Sequence, residues 1–180
     1  MPKNAATRRT PLIAAGILLG VGLGGFVDGI VLHQLLQWHH MVSSAIAPDS
    51  VENLKLNTLW DGIFHVAMWV FTVLGLTLLW RALRRRDVPW STRSLLGSLL
   101  LGWGAFNLVE GIIDHHILGI HHVNETVPPS QWVWWDLGFL AFGLALVIIG
   151  MYLIRGGRTN QLPVDAVQSE RVGFAKQVGA

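Results

Sequence analysis

Residues 28–40 read DGIVLHQLLQWHH, and residues 110–122 read EGIIDHHILGIHH. The two stretches align without a gap from Asp28 and Glu110 to His40 and His122, and six of their 13 positions are identical. A carboxylate therefore opens each stretch, and a pair of histidines ends it. Because each stretch lies at the end of a long apolar run, the repeat predicts two similar halves that carry the same polar group.

Four long apolar runs organise the chain. They cover about 12–38, 60–81, 95–118 and 132–154, each near the roughly 20 residues that a helix needs to cross the hydrocarbon of a bilayer. Hydrophobic residues make up 52% of the 180 residues and charged residues only 13%, whereas a soluble domain has about a quarter charged residues. The composition therefore excludes an ordinary soluble globule and a disordered chain.

The repeat continues into the runs that come after each stretch. Trp60-Asp61 corresponds to Trp135-Asp136, so the repeats cover 12–81 and 95–154. We predict an all-α integral membrane four-helix bundle, made of two repeated helix hairpins related by a pseudo-twofold axis along the membrane normal. This membrane domain covers residues 1–158, and residues 159–180 are predicted to form a flexible cytoplasmic tail.

The basic residues indicate the orientation in the membrane. Twelve of the 13 Lys and Arg residues lie before the first run, between the second and third, or after the fourth, and only Lys55 lies on the other side. The positive-inside bias therefore predicts that both termini are cytoplasmic.

Glycines within the first run favour close helix packing. Residues 20–25 match the pattern GxGxxG, but that pattern indicates nucleotide binding only between a strand and a helix of a soluble βαβ unit. Gly16, Gly20 and Gly24 instead recur at every fourth position, and such a smooth ridge lets a neighbouring helix approach closely in lipid.

Ionisable residues at the outer ends of the predicted spans form the candidate site. Such residues cost several kcal/mol at membrane depth unless they pair, bind a ligand or line water. The firmest candidate metal ligands are His33, His65 and His115, with Asp28, Asp61 and Glu110 either binding the metal or supporting its ligands. The remaining candidates are His39, His40, Asp114, His116, His121, His122 and Asp136.

Ideal α-helical geometry predicts which of these residues share a face. At 100° per residue, His33 and His40 lie about 20° apart on one face, as do His115 and His122. Asp28 and His39 share a second face, which in the other half holds Glu110, Asp114 and His121.

The residue types indicate metal chemistry. The chain has no cysteine, which excludes thiolate sites, and histidine with carboxylate suits zinc, iron, manganese or copper. So many ligands exceed the need of one tetrahedral ion and favour a dinuclear site. The paired Glu-x-x-His motif of ferritin-like di-iron bundles is absent, which counts against that class. A lattice of salt bridges, a b-type haem between His33 and His115, and an ion-conducting path remain open alternatives.

Residues 24–41 (GGFVDGIVLHQLLQWHHM) and 109–122 (VEGIIDHHILGIHH) resemble a family of predicted bacterial and archaeal membrane proteins described as a domain of unknown function. The resemblance covers all four predicted spans. It implies a four-span protein of a prokaryotic cell membrane.

Two classes of function fit these observations. The first is a metalloprotein with an outward-facing site for redox or hydrolytic chemistry. The second is a non-enzymatic protein that handles metal, assists respiratory assembly or binds haem. The expected partners are the lipid bilayer and, beyond it, a second copy of the chain or a membrane complex, with no nucleic acid.

Overall fold

The computed structural model describes the backbone of residues 5–156 and their side chains from residue 9 onward. The elements are helix α1 (Ala5–Val27), a first π-helix (Asp28–Leu35), α2 (Val51–Leu83), α3 (Thr92–Glu110), a second π-helix (Gly111–Ile117) and α4 (Pro129–Gly156). No strand occurs within this described range, which confirms the all-α prediction. The predicted tail at 159–180 lies outside the described residues.

Four helical segments are long and apolar enough to cross a membrane. They cover Arg9–Leu35, Val51–Leu83, Thr92–Ile117 and Pro129–Gly156, which confirms the number of predicted spans. The bounds differ most at α2, which begins well before the predicted position 60 because Ser50 caps it by accepting a hydrogen bond from Asn53 N. At 33 residues, α2 is about 50 Å long and exceeds the roughly 30 Å hydrocarbon thickness.

Helices α1 and α3 form the centre of the described structure. The close helix pairs are α1 with α2, α1 with α3, and α3 with α4. About half of α1 and of α3 is buried inside the protein, whereas most of α2 and α4 faces outward. Each hairpin therefore contributes its first helix to the centre and places its second helix outside it.

Glycines allow the central helices to approach closely. A Cβ at Gly20 would meet the backbone of Leu99 and Trp103 on α3, and a Cβ at Gly102 would meet the backbone of Ile17 on α1. The prediction that the α1 glycine ridge packs against a neighbouring helix is confirmed, and α3 is that neighbour. On the other side of α3, further glycines similarly face glycines of α4, Gly97 against Gly150 and Gly104 against Gly143.

We expect Gly102→Ala to lower the free energy of unfolding by about 1–3 kcal/mol, because the added methyl group must push the α1 backbone away. The measurement is reversible unfolding in detergent micelles. Gly62→Ala is the matched control, since a Cβ at Gly62 meets no atom within 4 Å. Equal losses in the two variants would contradict the proposed close contact of α1 with α3.

Candidate metal centre

The π-helices bring together the carboxylate and the first histidine of each repeated stretch. Residues at positions i and i+5 point about 140° away from each other in an α-helix, whereas a π-helix with its i→i+5 hydrogen bonds stacks them on one face. Asp28 Oδ2 accordingly lies 3.2 Å from His33 Nε2, and Glu110 Oε1 lies 3.0 Å from His115 Nε2. The widened turn is thus the local feature that forms each pair.

The prediction that His40 shares a helical face with His33, and His122 with His115, is wrong. So is the prediction that Asp28 shares an α-helical face with His39, and Glu110 with His121, whereas Glu110 and Asp114 do line the same cavity. The physical reason is that the stretches unwind into π-helices and then end at Leu35 and Ile117. The chain reverses at Gln37, with φ of 51°, and at Gly119, with φ of 57°. The later histidines therefore lie beyond the helices.

After each reversal the chain returns one histidine to the preceding pair. Two triads result, Asp28–His33–His39 and Glu110–His115–His121, and the candidate ligand atoms within each triad lie within 4.8 Å of one another. All six residues are buried. The rings of His39 and His121 stack with their centroids 4.6 Å apart and their planes 3° apart, so the two triads are adjacent.

In three of the four histidines of the triads, Nδ1 donates a hydrogen bond. His33 Nδ1 donates to Asp61 Oδ1 at 2.8 Å, and His115 Nδ1 lies 3.5 Å from Asp136 Oδ1. His39 Nδ1 donates to the carbonyl of Val123 at 2.9 Å, and His121 Nδ1 donates to the carbonyl of Met41 at 3.0 Å. A proton on Nδ1 leaves Nε2 as the atom that can bind a metal, and such anchoring is characteristic of metal-binding histidines.

Several buried atoms of the triads have no hydrogen-bond partner. They are Nε2 of His33, His39 and His115, Nδ1 of His115, and Oε2 of Glu110. A buried polar atom left unsatisfied costs about 1–3 kcal/mol, and native proteins rarely tolerate a group of them without a reason. The two triads could therefore hold metal ions.

The two stacked histidines differ in their electrostatics. Burial and the neighbouring rings of His121 and His33 hold the pKa of His39 well below its ordinary value, so His39 is neutral. Burial also acts to lower the pKa of His121, but its hydrogen bond to Glu110 and the charge of that carboxylate outweigh burial and raise the pKa. His121 accordingly donates from both nitrogens, to Met41 O and, at 2.8 Å, to Glu110 Oε1.

Asp61 and Asp136 accept hydrogen bonds from the loops that follow the two chain reversals. Asp61 accepts from His40 Nδ1 at 2.7 Å and from the backbone N of Met41 at 2.8 Å. Asp136 accepts in the same way from His122 Nδ1 at 2.7 Å and from the backbone N of Val123 at 3.0 Å. Both aspartates are buried. Asp61, Asp136, His40 and His122 therefore form a group of four predicted site residues that supports the triads without belonging to them.

The other three predicted site residues belong neither to the triads nor to the groups that support them. His65 Nδ1 donates to the carbonyl of Asp61 on its own helix, and the ring lies beside Phe26 and Phe64. His116 is exposed, and its Nδ1 donates to the carbonyl of Gly111 at 2.8 Å. Asp114 is only partly buried and lines a cavity beside Glu110.

Sequence reasoning missed two polar residues that the structure brings near the centre. Glu125 joins the outer loops by accepting from Ser44 Oγ at 2.5 Å and from the backbone N of His122 at 3.0 Å. Asn107 is buried on α3, and its Oδ1 has no hydrogen-bond partner. Asn107 corresponds to Gly25 in the first half, so the repeat carried no signal for it. An amide buried in a membrane span was itself such a signal.

These features define an all-helical membrane protein with a buried histidine and carboxylate centre between its two halves. The model of the predicted membrane protein family DUF2243 matches residues 15–157, and the chain belongs to this family. The resemblance found in the sequence is thereby confirmed. Comparison with curated proteins and with solved structures finds no match.

We expect Gly119→Ala to lower the free energy of unfolding by about 1 kcal/mol, because a residue with a Cβ is strained in the left-handed region. A Cβ at Gly119 meets no atom within 4 Å, so the backbone conformation alone carries the cost. Gly138→Ala in α4 is the control, since its Cβ also meets nothing but its backbone is helical. Thermal unfolding of both variants makes the comparison, and an unchanged Gly119→Ala protein would contradict the left-handed turn.

Proposed function

We propose that the protein is an integral membrane metalloprotein whose two triads form a dinuclear histidine and carboxylate centre for redox or hydrolytic chemistry. The observation that carries the proposal is the convergence of buried ligand atoms in each triad, among which Nε2 of His33, His39 and His115 makes no hydrogen bond. Each belongs to a ring whose Nδ1 atom faces a carboxylate or a carbonyl. A divalent cation would bind these nitrogens together with the carboxylates that lie beside two of them.

The composition of each triad supports one ion per triad. Two histidines and one carboxylate per ion suit zinc, iron, manganese or copper, and this count leaves coordination positions open. In the second triad an ion would replace the proton with which His121 Nε2 donates to Glu110. Asp28 and Glu110 supply one negative charge to each triad. In a surrounding of low dielectric constant, two such charges offset the positive charge of two divalent ions better than a single carboxylate would. Asp61 and Asp136 would then orient the histidines and increase their basicity.

The arrangement argues against the two simplest alternatives. A haem held by His33 and His115 would need the space between them, and the stacked rings of His39 and His121 occupy it. A lattice of salt bridges would pair the polar atoms with one another. It accounts for Nε2 of His33 and His115, which lie 3.2 and 3.0 Å from a carboxylate oxygen, but not for Nε2 of His39, which has no hydrogen-bond partner.

A non-enzymatic role in handling metal is the second candidate. A cavity of about 410 Å³ is lined by His39, His40 and Glu125, so one triad ligand borders a polar space at the end of the protein that carries the loops. Such a space gives ions a route to the first triad. The carrier and the enzyme share the same metal centre and differ only in whether a substrate reacts there.

The proposal includes the symmetry and orientation of the protein. The exchanged contacts support a pseudo-twofold axis, because His39 reaches Val123 of the second half as His121 reaches Met41 of the first. Twelve of the 13 basic residues support cytoplasmic termini in a prokaryotic cell membrane, with the centre on the extracytoplasmic side.

Purified protein should contain two equivalents of metal per chain, and His115→Ala should lose one of them. His33→Ala should lose the other, and the double variant should lose both, since each histidine serves one triad. Elemental analysis after dialysis against trace zinc, iron, manganese or copper gives the number.

His116→Ala is the matched control for His115→Ala, because the neighbouring ring faces outward and lies outside both triads. It should keep both ions. Unchanged metal content in the His33→Ala and His115→Ala proteins would overturn the proposed centre, and an absorption band of haem in the purified protein would replace it with a haem site.

The orientation can be tested with single cysteines, because the native chain has none. We expect Lys55→Cys to react with a membrane-impermeant maleimide in intact cells, since α2 begins on the extracytoplasmic side. Arg86→Cys, in the exposed turn after α2, should react only after the cells are opened. The reverse pattern of reactivity would place the centre on the cytoplasmic side of the membrane.

A further inference from the structure

Two grooves run from the outer surface of the spans to the triads. The first, of about 370 Å³, lies between α1 and α4 and is lined by Asp28. The second, of about 430 Å³, lies mainly between α2 and α3 and is lined by Glu110. Each groove thus reaches the carboxylate of one triad.

The two grooves are built from residues that occupy equivalent positions in the repeat. The first is lined by Val27, Asp28 and Val31, and the second by their counterparts Val109, Glu110 and Ile113. The alignment that pairs the two Trp-Asp sequences also pairs Phe64 with Phe139, and these rings line the second and the first groove, respectively. A feature that recurs in both halves is a consequence of the fold rather than of one imperfectly packed side chain.

The mouths of the grooves face the bilayer. Val27 is 43% exposed and Val109 is 58% exposed, and both lie within segments apolar enough to span the membrane. The walls of both grooves are almost entirely apolar. A molecule that enters here must therefore come from the lipid and not from water.

Aromatic side chains line both grooves. The first groove is lined by Trp38, Trp103, Trp134, Trp135, Phe139 and Phe142, and the second by Phe64, Phe71 and Phe106. Aromatic walls favour a flat ring, which they contact by stacking or edge to face. The volumes suit such a ring with part of an alkyl tail.

Each groove also contains a buried acceptor that has no donor. In the second groove it is Glu110 Oε2, and in the first it is Asn107 Oδ1. Both residues are more than nine-tenths buried. A hydroxyl group on the entering molecule would satisfy these oxygens, whereas an acyl chain would leave them unsatisfied.

We propose that each groove binds a bilayer-dissolved aromatic alcohol of the quinol class, with a ring hydroxyl donating to the buried oxygen beside its triad. The ring lies among the aromatic walls, and the tail extends past Val27 or Val109 into the lipid. This inference names the ligand class of the proposed metal centre. Binding itself needs only the grooves, and any reaction of the bound quinol rests on the proposed function.

The test uses a reduced decyl-substituted benzoquinol under anaerobic conditions and protein in lipid nanodiscs. Partition relative to empty nanodiscs should give two quinols per chain. The dimethyl ether of the same quinol has the same ring and tail but no donor, and it should bind at least tenfold more weakly. Equal binding of the ether would overturn the proposal, because apolar contact alone would then explain it.

Two variants separate the grooves. Val27→Trp should fill the first groove and Val109→Trp the second, so each should leave one quinol bound and the double variant almost none. The groove left open in each single variant also reports that the protein is folded. Val133→Trp is the control, because Val133 is 47% exposed and lines neither groove. Two quinols bound to the double variant would overturn the proposal.

The metal content of the same samples separates this inference from the proposed function. Quinol bound to protein that contains no metal would support the quinol grooves and contradict the proposed metal centre. Two metal ions in protein that binds no quinol would support the metal centre and contradict the quinol grooves.

Discussion

The candidate centre depends on one change in helical geometry, the widening of the last turns of α1 and α3 into π-helices. A carboxylate and a histidine at positions i and i+5 would point in different directions from an α-helix, and the π-turn places Asp28 against His33 and Glu110 against His115. It also sets the direction in which the chain leaves the helix. The left-handed residues Gln37 and Gly119 then turn the histidines of the outer loops back over the pairs. An ordinary α-helical end would separate all of these groups.

Much of the architecture could be predicted because the bilayer restricts the choices. Backbone groups in hydrocarbon must be satisfied within the segment, so long apolar runs form helices and their number can be read from hydropathy. The centre could be located for a related reason. Ionisable side chains at membrane depth require partners, and the repeat identified Asp28, His33, Glu110 and His115 in equivalent places.

The parts that could not be predicted depend on local backbone geometry. Assigning faces at 100° per residue assumes an α-helix throughout, and no residue type in 28–35 indicates a π-turn. Gly119 is a familiar signal for a helix end, but its counterpart Gln37 adopts the same backbone without that signal. His65 is a residue type that binds metals and lies at the expected depth in the membrane. Its ring nevertheless donates a hydrogen bond to a carbonyl of its own helix and lies outside both triads. Composition can therefore locate a centre without indicating which side chains form it.

The exchange of contacts between the outer loops has a consequence for how such a protein could arise. The carbonyl that accepts from His39 belongs to Val123, and the one that accepts from His121 belongs to Met41. The backbone N of Ser44 likewise donates to Ile120 O, and that of Glu125 donates to Trp38 O. A solitary hairpin of this design would lack the acceptor for its own returning histidine. A one-hairpin relative could supply that acceptor only from a second copy of itself, so, if the two halves arose by duplication, a dimer would have had to come before the fused chain.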